Sequence, residues 1–137
     1  MEYFALVKEI RGIHLVSFPD FPYVHAYGPN LEQALRNGRK ALNETLESEF
    51  EWSCELPRPK RNAGRKDFHS VTLFPHVALA YQLRKLRKKS QIDVARRLGI
   101  SHLAYRRLED PRKCNPTVKT LERFESVLGI KLTISLG

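Results

Sequence analysis

The side chains able to perform acid–base, nucleophilic or metal chemistry are few and scattered in this chain of 137 residues. Cys54 and Cys114 stand alone, without the CxxC spacing that holds zinc or runs a redox cycle, so a reducing interior is the default. His14, His25 and His69 fall on separate predicted strands with no HxH or HExxH pattern. A hydrolytic site working through magnesium needs several converging carboxylates. The front half offers Glu9 and Asp20, and Asp20, lying between two prolines, reads as a turn former. No catalytic residue, metal ligand or cofactor is therefore expected. The chemistry that remains is charge.

Lys and Arg number 24 against 15 Asp and Glu, a formal net charge of +9. The charge is segregated. Residues 1–56 carry five basic and nine acidic groups, net −4; residues 57–67, punctuated by Pro57, Pro59 and Gly64, are net +4. Residues 76–137 hold fourteen basic and five acidic groups, net +9. Solubility alone would be served by either sign and does not account for the separation. An acidic front and a basic back imply different partners, with nucleic acid the natural one for the back. The 42% hydrophobic fraction suffices for packed cores. No apolar run approaches the roughly 18 residues of a membrane span. Met1-Glu2-Tyr3-Phe4 lacks the opening of a signal peptide, so the expectation is cytoplasmic, with no membrane partner.

The front half reads as a small sheet with one helix. Residues 3–10 are rich in β-formers, with Phe4, Leu6 and Ile10 on one face, and Arg11-Gly12 supplies a tight turn into a second strand, Ile13 to Phe18. Pro19 and Pro22 are expected to stop it before a short aromatic strand, Tyr23 to Tyr27. Asn30 can cap a helix with Gln33 as reciprocal partner, and Leu31, Ala34, Leu35, Gly38, Ala41, Leu42, Thr45, Leu46 and Phe50 follow at helical spacing. Gly38 within a helix costs about 1 kcal/mol against Ala, which close approach to the sheet would justify. Phe68 to Phe74 alternates again and predicts a fourth strand.

Val16-Ser17-Phe18-Pro19-Asp20-Phe21-Pro22, then Gly28, then Leu31-Glu32-Gln33-Ala34-Leu35 resembles the amino-terminal domain of HicB-type antitoxins. Tyr23 departs from that family, which usually has Gly there. The resemblance implies a partial ribonuclease-H-like domain, and the carboxylates of such a nuclease site are wanting here.

The back half reads as helices. One spans residues 76–89; a second starts at Ser90-Gln91-Ile92-Asp93 and ends at Gly99; a basic third runs from His102 to Glu109, stopped by Asp110-Pro111. Asn115-Pro116-Thr117 opens a fourth, closed by Gly129. Ser90-Gln91, Ala95, Leu98-Gly99-Ile100-Ser101 and Leu108-Glu109 fall at the spacing of the lambda-repressor/XRE class, which this half resembles. Residues 104–111 and 115–122 resemble the version fused to HicB antitoxins.

That resemblance implies that the third helix enters the major groove and presents Ser101, His102, Ala104 and Arg106 to base edges, with Arg106 able to grip a guanine. Gln91 resembles the family residue that contacts phosphate or base. Lys88, Lys89, Arg107, Arg112 and Lys113 are placed to neutralise phosphates. Tyr105 is expected in the core, and Arg84 with Glu109 resembles the family's structural ion pair. Residues 130–136 alternate strictly, with Ile130, Leu132, Ile134 and Leu136 on one face. They predict a terminal strand that either covers its own domain or, by preference, pairs with a second copy as a homodimer or higher homo-oligomer.

The expected fold class is α+β: a partial ribonuclease-H-like βββα-β domain over residues 1–75, including the connector 57–67, then an all-α helix-turn-helix domain over residues 76–137 with a C-terminal strand. The implied function is an antitoxin that neutralises a HicA-like mRNA-cleaving toxin through its front domain and represses its own operon by binding operator DNA. The other reading is a stand-alone repressor whose front domain senses a ligand or only oligomerises.

Overall fold

The computed structural model describes residues 2–52, 55–60 and 67–134. Cys54, connector residues 61–66 and the last part of the expected terminal strand, residues 135–136, lie outside them. The fold is α+β, and the chain divides into two compact units, one up to Leu73 and one from Phe74.

The first unit contains β1 (Glu2–Ile10), β2 (Ile13–Phe18), β3 (Phe21–Gly28), α1 (Leu31–Ser48) and β4 (Phe68–Thr72). The strands form one antiparallel sheet in the order β3-β2-β1-β4. Arg11 and Gly12 both take positive φ, 52° and 79°, the geometry a two-residue hairpin needs to match strand twist. Helix α1 lies on one face. Ala34, Gly38, Leu42 and Leu46 are buried there against Val16, Phe18 and Val24. At Gly38 an added Cβ would stand 2.8 Å from Val16 Cγ1, so close approach does select the glycine. Asn30 caps α1 by accepting from the Gln33 amide at 2.8 Å, but the reciprocal half of the expected capping box is replaced: the Gln33 side chain donates to Asn37 Oδ1 at 2.9 Å.

Three expectations for this unit are corrected. The buried face of β1 is Tyr3 and Ala5, while Phe4 and Leu6 face the other way and Ile10 is 52% exposed. Both alternating sets are apolar, so period alone could not choose; the pairing Val7 with Val16 puts the Tyr3–Ala5–Val7 set on the α1 side. Pro22 does not stop the chain but sits inside β3, an edge strand where a missing N–H is tolerated. Strand β4 ends at Thr72, not Phe74. The start of the basic connector is tied down within this unit: Tyr3 donates its hydroxyl to the Pro57 carbonyl at 2.7 Å, and Asp20 Oδ2 accepts from the Lys60 amide at 3.1 Å.

The second unit contains α2 (Pro75–Leu86), α3 (Gln91–Leu98), α4 (His102–Leu108) and α5 (Val118–Leu128). Its core gathers Leu79, Ala80, Leu83, Val94, Ala95, Leu98, Tyr105, Cys114 and Phe124. The Tyr105 and Phe124 rings lie nearly parallel, with centroids 6.2 Å apart. Each of α3, α4 and α5 opens on a side-chain cap, from Ser90, Ser101 and Thr117. Gly99 and Gly129 close α3 and α5 with left-handed backbone.

The expected terminal strand is not present: described residues 130–134 are irregular. Ile130 and Leu132 pack on the helical core of their own unit. Their backbone is held by side chains, with the Leu132 amide donating to Glu125 Oε2 at 3.0 Å and the Thr133 amide to Gln82 Oε1 at 3.1 Å. Donors satisfied in this way are not available to a neighbouring strand.

Candidate nucleic-acid interface

Helix α4 presents one face to the core and one to solvent. Tyr105 and Glu109 are fully buried and Leu108 partly so, whereas His102, Leu103, Ala104, Arg106 and Arg107 are exposed. With the helical period of 3.6, the positions directly opposite Tyr105 and Leu108 are Leu103 and Arg107. Leu103, 62% exposed, was not singled out from the sequence. The signal was there, since two residues back from a buried position is outward on a helix, but an apolar residue reads first as core. Ser101 is committed to its cap: its Oγ accepts from the Ala104 amide at 3.0 Å, leaving only its hydroxyl hydrogen for an outside acceptor.

Gln91 is not a free surface group. Its Nε2 donates to Glu109 Oε1 at 3.2 Å, and its Oε1 lies 3.0 Å from His102 Nε2. The second Glu109 oxygen accepts from Arg87 Nε at 2.7 Å. The structural partner of Glu109 is thus Arg87, just past the end of α2, rather than Arg84, which lies over the Tyr81 ring. Helix α2 stops at Leu86, earlier than the expected residue 89, and this is what frees Arg87 to turn inward. Its Nη1 also donates to the Lys89 carbonyl at 2.8 Å. That bond steadies the connection carrying Lys88 and Lys89, both exposed.

The basic groups after α4 differ from one another. Arg112 is clasped by Asp110, Nε to Oδ1 at 3.0 Å and Nη2 to Oδ2 at 3.1 Å, so its charge is largely compensated in place. Burial opposes ionisation of Asp110, but the bonds from Arg112 outweigh it and hold this carboxyl below the usual carboxylate range; the same bonds raise Arg112. Lys113, next along, is exposed. Burial, assisted by Asp110, pushes the Cys114 thiol up to about 12, which makes it inert filling. Burial beside the Glu109 carboxylate likewise raises the Tyr105 phenol, whose hydroxyl makes no well-formed hydrogen bond.

On the first unit, the sheet face turned away from α1 carries Phe4, Leu6, Leu15 and Tyr27; Leu15 is 40% and Tyr27 68% exposed. A shallow depression there is lined by Leu6, Lys8, Leu15, Ser17 and His25. Among the described residues no group of three or more His, Cys, Asp or Glu side chains could hold a metal ion, and no helix is long and apolar enough to cross a membrane.

None of the curated proteins matches the chain. Among solved structures, the chain is similar to the N-terminal domain of the Burkholderia pseudomallei antitoxin HicB, with 22% identity and a TM-score of 0.45 over 53% of this chain and 98% of that one. Residues 81–134 match the family described as Helix-turn-helix. That span opens in α2 and takes in the whole of α3, α4 and α5 together with the capped turn at Gly99. Over residues 81–134, then, the second unit of this chain is similar to the helix-turn-helix family.

Proposed function

We propose that the chain is a repressor of the antitoxin type: its basic helical unit holds operator DNA, and its acidic sheet unit binds and silences a small basic mRNA-cleaving toxin of the HicA kind. The observation that carries the DNA half is α4, capped by Ser101 and turning an exposed row of His102, Leu103, Ala104, Arg106 and Arg107 outward. In the major groove, Arg106 and Arg107 suit guanine or phosphate and Leu103 suits a thymine methyl. Lys88, Lys89 and Lys113 supply sequence-independent affinity, and Arg112 less, because Asp110 already occupies it.

The toxin half is supported by the Ser-Phe-Pro-Asp motif, Ser17 to Asp20, and by the net −4 of residues 1–56, which suits a partner built to hold RNA. The exposed apolar sheet face gives such a partner a surface to cover. In the test, the neighbouring reading frame encodes a short basic protein that is toxic when expressed alone. Co-expression of this chain should relieve the toxicity, and the two proteins should co-purify. Unrelieved toxicity with intact operator binding would overturn the antitoxin half and leave a stand-alone repressor. Equal affinity for the gene's upstream region and for random duplex would overturn the DNA half.

A further inference from the structure

The basic segment 57–67 is not a tether between the two units. Helix α1 before it and strand β4 after it belong to the same sheet unit, and only Leu73 and Phe74 separate β4 from α2. The segment is the later part of a loop of nineteen residues, 49–67. Loops longer than about 12–15 residues in a compact domain either carry function or lack order, and the described part of this one is bound in place. At Pro57 two things change together. Glu49, Glu51 and Glu55 give way to Arg58 and Lys60, the first of five basic residues, and the chain becomes fixed to the sheet unit. The buried Tyr3 donates its hydroxyl to the Pro57 carbonyl at 2.7 Å, and Asp20 Oδ2 accepts from the Lys60 amide at 3.1 Å. Where the loop returns, the Val7 amide donates to the Asp67 carbonyl at 3.1 Å. All three anchors use backbone groups of the loop. The exposed side chains of Arg58 and Lys60 take no part in them. Pro57 and Pro59 stiffen the stretch between the first two anchors, and Arg58, preceding a proline, is kept extended. Two cations are thus displayed on a braced strap, ordered by folding rather than by binding.

The sign of the strap decides its partner. A basic toxin would be repelled by it, and solubility does not require cations to be tied down. A polyanion suits it. We infer that the strap is a second DNA contact, in which Arg58 and Lys60 neutralise backbone phosphates of the duplex that the helical unit holds. Such contacts add affinity and carry no sequence information. This rests on the DNA-binding reading above and extends it to the sheet unit. Duplex DNA is favoured over other polyanions because the unit that binds it follows two residues after β4, which gives the strap a high effective concentration of that ligand.

The test compares full-length wild type with Arg58→Gln, Lys60→Gln and the double variant by fluorescence anisotropy over a series of salt concentrations. The probes are a long duplex carrying the gene's upstream region and a random duplex of equal length. The double variant should bind both more weakly. Its slope of log affinity against log salt should be lower by about two, one per cation, with the ratio between the two duplexes unchanged. Lys40→Gln removes the same charge from the same unit at an exposed α1 residue that sits 3.8 Å from Glu44, and should leave the slope as in wild type. An unchanged slope in the double variant, or an equal fall in Lys40→Gln, would overturn the inference while leaving DNA binding intact. Lost toxin capture with unaltered DNA binding would assign the strap to a protein instead and overturn it too. A wild-type chain without affinity for either duplex would overturn the DNA reading itself.

Discussion

Gly38→Ala should change sign with the residue opposite it. In an exposed helix interior the substitution gains about 1 kcal/mol of helix stability. Here the new methyl would stand 2.8 Å from Val16 Cγ1, well inside the ~3.5–4.0 Å of a carbon–carbon contact. Val16 cannot yield easily. It is 1% exposed, branching at Cβ leaves it little rotamer freedom, and its strand is paired on both sides. Overpacking of this kind costs about 1–3 kcal/mol, so the net effect is a loss of about 1 kcal/mol. In a Val16→Ala background the opposing methyls are gone. The nearest remaining atoms, Val16 Cβ at 3.5 Å and Phe18 Cζ at 3.6 Å, are ordinary contacts. Gly38→Ala should then stabilise by about 1 kcal/mol, which makes the coupling between the two sites about 2 kcal/mol. Trp52, the single tryptophan, lies edge-on to Phe50 with ring centroids 5.0 Å apart in the same unit, so urea titration followed by its fluorescence reads the effect directly. Stabilisation by Gly38→Ala in the wild-type background, or an equal loss in both, would refute the packing argument.

Glu109→Ala should cost about 3 kcal/mol in chemical denaturation followed by helical circular dichroism, because it strands Arg87 and Gln91. The low end of the range applies since Arg87 is 24% exposed and regains some water; Arg84→Ala should cost clearly less. Asp110 has a folded-state pKa below its unfolded value. Its contribution is therefore present above the unfolded value, about 3.9, and lost as pH falls through the folded one. Melting temperatures of Asp110→Asn and wild type should accordingly differ at neutral pH and converge toward pH 2; a constant gap would contradict the ion pair with Arg112. In DNA binding, Arg106→Ala should relax preference at one base position, whereas Lys88→Ala should weaken all sequences alike and lower the salt slope by about one. Indistinguishable effects would overturn the division into base and phosphate contacts.

Local features were legible in the amino-acid order because their causes are local. Asn30 and Ser90 cap helices by bonding an amide three residues on, and Gly99 and Gly129 end them with a backbone that few other residues adopt; Ser101, expected at base edges, caps α4 in the same way. The close approach at Gly38 followed from helical period, whereas the burial of Tyr105 was implied by the family resemblance. Choices between competing alternatives were not legible. Phe4–Leu6 is the more apolar pair, yet pairing with β2 under α1 buried Tyr3 and Ala5 instead.

The candidate interface divides in the same way. Composition and period placed a basic helix after a glycine turn, but not which arginine Glu109 would bind. Arg84 and Arg87 both lie near the end of α2, and the helix had to stop at Leu86 for Arg87 to reach inward. Likewise the alternating tail, Ile130 to Leu136, describes an apolar face without naming its partner. Glu125 and Gln82, brought near by folding, took the amides of Leu132 and Thr133 and settled the described part on its own core. Hydrogen bonding within a helical turn and periodicity are properties of the chain; the pairing of groups seven to fifty-one residues apart is a property of the packed molecule, because only packing decides which of several competent partners is within reach.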